Sequence, residues 1–167
     1  MHRRIIHTFA IAVLATLTAC APRQRVVIAP PPPPPPPPEV TDAEVALARD
    51  LEARRFWEQG TTLGRRGQWG PAAENYRRAA ELHPDSVVYH MALSNALLQQ
   101  GRAWEGADAL QAGIRVAEGR QPVNHRVLAV DYERLIDLLT RLNRLDEARA
   151  ARERQRFHRM MRDSANQ

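Results

Sequence analysis

The fold of this chain is most clearly indicated by residues 56–84, FWEQGTTLGRRGQWGPAAENYRRAAELHP. Its apolar and small residues recur every three or four positions, which predicts helices rather than strands. Gly67 interrupts the pattern near its middle, and Pro71 stands where the first turn of a second helix tolerates a missing N–H. A further break falls before Pro84. The stretch therefore predicts two helices joined by a tight turn.

Small and bulky residues alternate along this stretch so that the two helices can pack closely. The small residues that permit close approach are Gly60, Ala72 and Ala79. The bulky residues expected to fill the space between the helices are Phe56, Leu63, Trp69 and Tyr76. Together with Gly67 and Pro84, these positions resemble the tetratricopeptide repeat, a 34-residue unit of two antiparallel helices. Gln59 departs from the pattern, because the family usually has leucine there.

The same order of residues recurs twice downstream. Gln100-Gly101-Arg102 repeats the turn around Gly67, although Gly113 stands where alanine is expected. A last unit follows the connector at residues 120–124, and Asn143 replaces glycine at its turn because asparagine tolerates the left-handed region. The predicted repeats span about residues 53–86, 87–120 and 129–162.

These units predict an all-α fold, a short solenoid of about three helix pairs similar to tetratricopeptide repeats. Stacking is required, since a single pair cannot bury its apolar face alone. Thr41 and Glu44 form a capping box, which predicts that the helical domain occupies residues 41–167. The first helix is expected to run to about Arg66. Its apolar stripe consists of Val45, Leu47, Ala48, Leu51, Phe56 and Leu63.

Residues 1–19 have the layout of a secretory signal peptide. A positive segment, Met1 to Arg4, precedes a mostly apolar run, Ile5 to Leu17. The run is shorter than the roughly 20 residues that a membrane-spanning helix needs, so a transmembrane anchor is the less favoured alternative.

Leu17-Thr18-Ala19-Cys20 resembles the lipobox of bacterial lipoproteins, in which a leucine stands three residues before the cysteine. The resemblance implies cleavage before Cys20 and covalent diacylglycerol and N-acyl chains on that cysteine; we expect no other cofactor. Several acyl chains anchor a protein stably. Ala21, in place of an aspartate, favours the periplasmic face of the outer membrane. The alternative for Cys20 is a free thiol after ordinary signal cleavage.

A run of nine prolines, Pro30 to Pro38, follows the cysteine. The fixed φ of proline favours polyproline II, which at about 3.1 Å per residue spans roughly 28 Å over this run. We predict that residues 20–40 are a lipidated N-terminus and a proline-rich linker, disordered in the sense that it packs into no core. A ligand for an aromatic-lined groove is the alternative.

The composition of the 167 residues excludes several kinds of chemistry. All 24 basic residues are arginine, which excludes a lysine Schiff base and the lysine of a phosphate loop. A single cysteine excludes a disulfide within the chain. The formal charge of +5 falls to +3 without the two arginines of the signal peptide. This excess of positive charge is small, and the arginines are interleaved with acidic residues, so we predict no nucleic-acid binding.

No catalytic or metal-binding pattern is present in the sequence. His83, His90, His125 and His158 are scattered without the spacing of metal ligands. A nucleophile elbow, a glycine-rich phosphate loop and a paired-carboxylate signature are all missing. We predict no catalytic residues, no metal and no enzymatic activity; a hydrolase whose carboxylates are assembled by folding is the remote alternative.

The repeat resemblance implies that a protein or peptide partner binds in a groove lined by the first helix of each repeat. The groove positions carried over are Trp57, Thr61, Arg65, Met91, Asn95, Gln99, Glu133, Asp137 and Arg141. In relatives, an asparagine at the position of Asn95 hydrogen-bonds a ligand's backbone or carboxylate. Arg65 and Arg141 could hold acidic groups with bidentate geometry. The alternatives are an asparagine without a ligand and arginines that are only solvated.

The last helix, predicted from Asp146 to Arg162, is rich in arginine and polar enough to cap the solenoid. Its basic patch consists of Arg149, Arg152, Arg156 and Arg159. Such a patch could contact anionic lipid headgroups, peptidoglycan carboxylates or an acidic partner. A solvated face of the cap is the alternative.

The resulting hypothesis is a lipid-anchored outer-membrane lipoprotein that acts as a periplasmic adaptor for a protein or peptide partner in cell-envelope assembly. Proteins of this kind resemble pilotins for pilus or secretin biogenesis, outer-membrane assembly subunits and adaptors that regulate peptidoglycan enzymes. The alternative is a structural spacer that contacts peptidoglycan through its basic last helix and leaves the groove unused.

Overall fold

A computed structural model of the chain describes residues 41–165. Between these limits it contains six α-helices and no strand. The helices are α1 Asp42–Arg65, α2 Trp69–Leu82, α3 Val87–Gln99, α4 Ala103–Glu118, α5 His125–Arg141 and α6 Leu145–Ser164. The predicted all-α class is confirmed for this part of the chain. The predicted signal peptide, Cys20 and the proline-rich linker lie outside the described residues.

The predicted capping box starts α1. The backbone N–H of Glu44 donates to Thr41 Oγ1 at 3.3 Å, and the backbone N–H of Thr41 donates to the Glu44 carboxylate at 2.9 Å. The second bond, aided by one from the Thr41 hydroxyl, holds the pKa of Glu44 below its ordinary value. Two donors that a helix start would leave without partners are thereby satisfied.

Three turns of the same construction end α1, α3 and α5. Each places one residue in the left-handed region, namely Gly67 at φ 73°, Gly101 at φ 74° and Asn143 at φ 58°. The next backbone N–H donates to the carbonyl five residues earlier, from Gln68 to Leu63, Arg102 to Leu97 and Arg144 to Leu139. This bond defines a Schellman motif, which satisfies carbonyls at the helix end. The predicted left-handed role of Asn143 is confirmed.

Each tight turn folds two helices into an antiparallel pair. In the first pair, Gly60 lies against Tyr76 while Gly64, one turn later, lies against Trp69, which shows the opposite directions of α1 and α2. Neighbouring helices pack in chain order, with the most extensive contacts inside the pairs α1–α2, α3–α4 and α5–α6.

The buried side chains form two clusters that share α4. The first consists of Ala72, Ala73, Tyr76, Leu93, Ala96, Leu97 and Ala109. The second consists of Ala107, Leu110, Ile114, Leu128, Tyr132, Leu135, Leu139, Ala148 and Ala151. Because α4 contributes Ala109 to one cluster and Leu110 to the other, the helix connects the two halves of the core.

The first part of α1 does not enter this core. Val45, Leu47 and Leu51 are exposed, and burial begins at Ala53. The reason is length, since α1 has 24 residues and its partner α2 has 14. The predicted apolar stripe of α1 is therefore wrong as a core element for its first four members, because Ala48 is exposed as well. None of the six helices between residues 41 and 165 is long and apolar enough to span a bilayer.

Candidate functional site

A cavity of about 560 Å³ opens between α3 and α5. Its apolar wall consists of Met91, Leu98, Leu110 and Leu138. Its polar wall consists of Ser94, Asn95, Asp131, Arg134, Asp137 and Arg141. An apolar surface with a few polar groups is the usual composition of a ligand site in a protein.

The cavity brings together four of the nine predicted groove residues, from two different helices. Met91 and Asn95 come from α3, and Asp137 and Arg141 come from α5. The other five do not line it; they are Trp57, Thr61, Arg65, Gln99 and Glu133. The candidate site thus involves two of the three helices that line the groove predicted from the sequence.

Two of the three groove residues predicted on α1 are engaged in contacts within the fold. Trp57 is half-buried beside the first core cluster, and its ring centre lies 6.5 Å from that of Tyr89. Thr61 Oγ1 donates to the backbone carbonyl of Trp57 at 2.9 Å, and the Tyr76 hydroxyl donates to Thr61 Oγ1 at 3.4 Å. Arg65 is exposed at the end of α1.

Asn95 is exposed at the cavity, and contacts between α3 and α4 hold the backbone beside it in place. The residue before it, Ser94, is buried, and its hydroxyl donates to the Gly106 carbonyl of α4 at 2.7 Å. A side chain at position 106 would collide with Leu98, whose nearest atom lies 2.8 Å from the site of a Cβ. This close approach of α3 and α4 sets the position of Asn95.

Arg141 already holds a carboxylate from its own helix. Its Nε donates to Asp137 Oδ1 at 3.1 Å, and its Nη2 lies 2.8 Å from Asp137 Oδ2. Both side chains are exposed, so the pair adds little to stability. Arg141 thus holds an acid of its own helix in bidentate geometry, and the prediction that it binds an acidic group of a partner stays a prediction.

Asp131 is the acid of this site that sequence reasoning missed. It is only 8% exposed, lies on the cavity wall and comes from the face of α5 that buries Leu128 and Leu135. Burial raises the pKa of Asp131, and the positive charge of Arg134 opposes that rise. The sequence does indicate this burial. Asp131 lies three residues after Leu128 and four before Leu135, and residues at these spacings share one helix face.

A second polar cluster joins α4, α5 and α6. His125 Nδ1 lies 2.8 Å from His158 Nδ1, and His158 Nε2 lies 3.0 Å from the Glu118 carboxylate. The Tyr132 hydroxyl donates to the same carboxylate at 2.9 Å; burial and this bond raise the pKa of Tyr132. His125 and His158 are 33 positions apart, so their spacing in the sequence did not indicate this contact. No group of three potential metal ligands occurs among residues 41–165.

The predicted basic patch lies exposed along α6. Arg149, Arg152, Arg156 and Arg159 follow one another at spacings of three and four, which places them on one face of the helix. Arg159 lies 3.5 Å from Glu133. Arg144 does not belong to the open surface, because it is 13% exposed and its guanidinium contacts Asp108 and Glu147.

No protein-family model matches the chain, and no curated protein shows significant similarity to it. The lipobox and the helical-repeat pattern are therefore interpretations of this chain's own residues.

Proposed function

We propose that the protein is a lipid-anchored periplasmic adaptor that binds a protein or peptide partner in the cavity between α3 and α5. The observation that carries the proposal is the meeting of Met91, Asn95, Asp137 and Arg141 at one cavity. The repeat resemblance predicts all four as groove positions, on two different repeats.

We interpret the six helices as a short solenoid similar to tetratricopeptide repeats. The left-handed residues of the first two turns, Gly67 and Gly101, are 34 positions apart, which is the length of that repeat. The third, Asn143, follows after 42 positions. Longer α4 and α5 helices and a longer connector between them account for the difference.

The N-terminal residues supply the cellular context of the proposal. Acyl chains on Cys20 would confine the cavity to the inner surface of the outer membrane, with the proline-rich linker as a spacer. Confinement raises the effective concentration of the site near other envelope proteins. The partner then belongs to an envelope assembly process, such as pilus or secretin biogenesis, outer-membrane protein assembly or the regulation of peptidoglycan enzymes.

Crosslinking in the envelope tests the adaptor function. Partners recovered with the wild-type chain are compared with those recovered after Asn95→Arg, which fills the cavity mouth, and after Cys20→Ala. Gln99→Arg is the matched control, because it adds the same charge to an exposed position of α3 outside the cavity. The proposal predicts a discrete partner that is lost with Asn95→Arg and Cys20→Ala and kept with Gln99→Arg. Loss of the partner from both arginine variants, or from neither, would refute the assignment to the cavity.

The exposed arginines of α6 support a second candidate, a spacer that contacts peptidoglycan. Four guanidinium groups on one face could bind the carboxylates of the wall peptides. Changing Arg152, Arg156 and Arg159 to glutamate should then abolish co-sedimentation with purified peptidoglycan while partner recovery is unaffected. Unchanged co-sedimentation would eliminate this candidate.

A further inference from the structure

The cavity between α3 and α5 contains a buried acid whose charge is poorly compensated. Asp131 is 8% exposed, and none of the hydrogen bonds among residues 41–165 reaches its carboxylate. The nearest compensating charge, Arg134, is exposed to solvent and acts on Asp131 through space only. Among the described residues no side-chain oxygen is both fully buried and without a hydrogen-bond partner, so the Asp131 carboxylate oxygens remain accessible. A ligand in the cavity can therefore reach a carboxylate that has no hydrogen-bond donor of its own.

The other charged groups of the cavity do not supply a counter-ion. Arg141 is held by Asp137 through two contacts, so this pair is neutral as a unit. Asn95 is uncharged, and Ser94 donates to Gly106. No cationic side chain of the cavity therefore donates a hydrogen bond to the Asp131 carboxylate. A cation from outside would gain a charge-assisted hydrogen bond there.

The apolar wall limits the shape of such a cation. Leu98, Leu110 and Leu138 line the same cavity as Asp131. A ligand that fits both surfaces has an alkyl stem that ends in a positive charge. Lysine and arginine side chains have this form, because their methylene groups pack on apolar surface while the charged head binds an acid.

We propose that the cavity receives a lysine or arginine side chain of the partner, with its stem on Leu98, Leu110 and Leu138 and its charged head on the Asp131 carboxylate. The proposal rests on the adaptor function, since it specifies which chemistry the partner presents. The exposed Arg134 and the Asn95 amide stand at the same cavity, where they can contact the polar backbone on either side of that side chain.

Small probes test the site without a partner. The purified full-length chain in detergent is titrated with hexylammonium, hexanol and hexanoate, which share one stem and differ in charge. Chemical shifts of the Asn95, Leu98 and Asp131 backbone amides report binding. We expect hexylammonium to bind about tenfold or more tighter than hexanol, as a charge-assisted hydrogen bond implies. Equal affinities, or hexanoate as the tightest probe, would overturn the proposal.

Matched variants assign the effect to one carboxylate. Asp131→Asn should reduce hexylammonium binding to the level of hexanol, whereas Asp146→Asn should leave it nearly unchanged because Asp146 is an exposed acid of α6 that does not line the cavity. Unchanged binding in Asp131→Asn would overturn the proposal. If that variant fails to fold, a pH series with the wild type decides: hexylammonium should lose its advantage over hexanol at acid pH, where Asp131 is protonated, and an advantage that persists there would overturn the proposal.

The probe titration and envelope crosslinking can fail separately. If hexylammonium binds but no partner is lost with Asn95→Arg, the cation site stands and the adaptor function is refuted. If a partner is lost with Asn95→Arg but kept with Asp131→Asn, and hexylammonium binds no tighter than hexanol, the adaptor function stands and the cation site is refuted.

Discussion

The α-carbon of Gly60 faces the ring of Tyr76 so closely that a Cβ at position 60 would lie 2.8 Å from two ring carbons. The same Cβ would lie 3.2 Å from the backbone carbonyl oxygen of Ala72. Both neighbours are in α2, and both Tyr76 and Ala72 are buried. The separation of α1 and α2 is therefore set by the absence of a side chain at position 60.

Gly60→Ala should destabilise the protein by about 1–3 kcal/mol, the range for overpacking a well-packed interior. Thermal unfolding followed by circular dichroism measures the effect. Gly70→Ala is the control, because its Cβ would meet nothing nearer than 3.9 Å. That variant should be neutral or slightly stabilising, since alanine favours helix over glycine. Equal melting temperatures for the two variants would show that α1 and α2 are not in close contact at Gly60.

Gly101→Ala should cost about 1 kcal/mol, because an L side chain is strained in the left-handed region. Gly101 has φ 74°, and nothing lies within 4 Å of the position of a Cβ, so the expected loss is purely conformational. Gly119→Ala is the control: Gly119 has φ −72°, which any residue adopts. Chemical denaturation should separate the two. A Gly101→Ala variant as stable as Gly119→Ala would contradict the assigned turn.

Asp131→Asn should stabilise the protein at neutral pH. Burial raises the pKa of Asp131 in the folded state, so the native protein binds this proton more tightly than the unfolded chain does. Wild-type stability consequently falls as the pH rises from the ordinary aspartate pKa through the raised one. Asp131→Asn lacks this loss of stability. The free energy of unfolding of the variant should therefore exceed that of the wild type at pH 7, and the excess should disappear as the pH falls below the ordinary aspartate pKa.

Urea denaturation at a series of pH values measures that difference. Asp137→Asn is the control and should be less stable than wild type by under about 1 kcal/mol, since it loses an exposed ion pair. A destabilised Asp131→Asn at pH 7 would mean that the Asp131 carboxylate has a stabilising partner within the protein.

His158→Ala should destabilise the protein by about 2 kcal/mol or more, because it removes a packed ring and its hydrogen bonds. The ring is 3% exposed, stacks on Tyr132 at 5.7 Å and contacts His125 and Glu118. Hydrogen exchange should show the greatest loss of protection in α6. His83→Ala, which removes an exposed contact with Asp50, should cost under about 1 kcal/mol. Uniform loss across all helices would argue against a local role for this cluster.

The sequence predicts the features that depend on short-range rules. The capping box of Thr41 and Glu44 and the left-handed turns at Gly67 and Asn143 each follow from the residue types within a few positions. The close approach at Gly60 was predictable for a similar reason, since small residues occur at helical spacing on both partners.

The features that sequence reasoning missed depend on contacts between distant residues. His125 and His158 are 33 positions apart and meet because α5 and α6 are antiparallel. The burial of Asp131 depends on how closely α3 and α4 approach α5, which residue types on α5 alone do not specify. The exposure of Leu47 and Leu51 depends on the length of α2, and the packing of Trp57 depends on Tyr89 of α3.

Site-specific photocrosslinking in the envelope tests directly whether a partner occupies the cavity between α3 and α5. A benzophenone side chain is placed at position 134, which lines the cavity, or at position 126, an exposed arginine of the same helix that does not. We expect a discrete covalent adduct from position 134, none from position 126, and loss of the adduct when Asn95→Arg is added. No adduct from position 134, or equal adducts from both positions, would contradict this expectation.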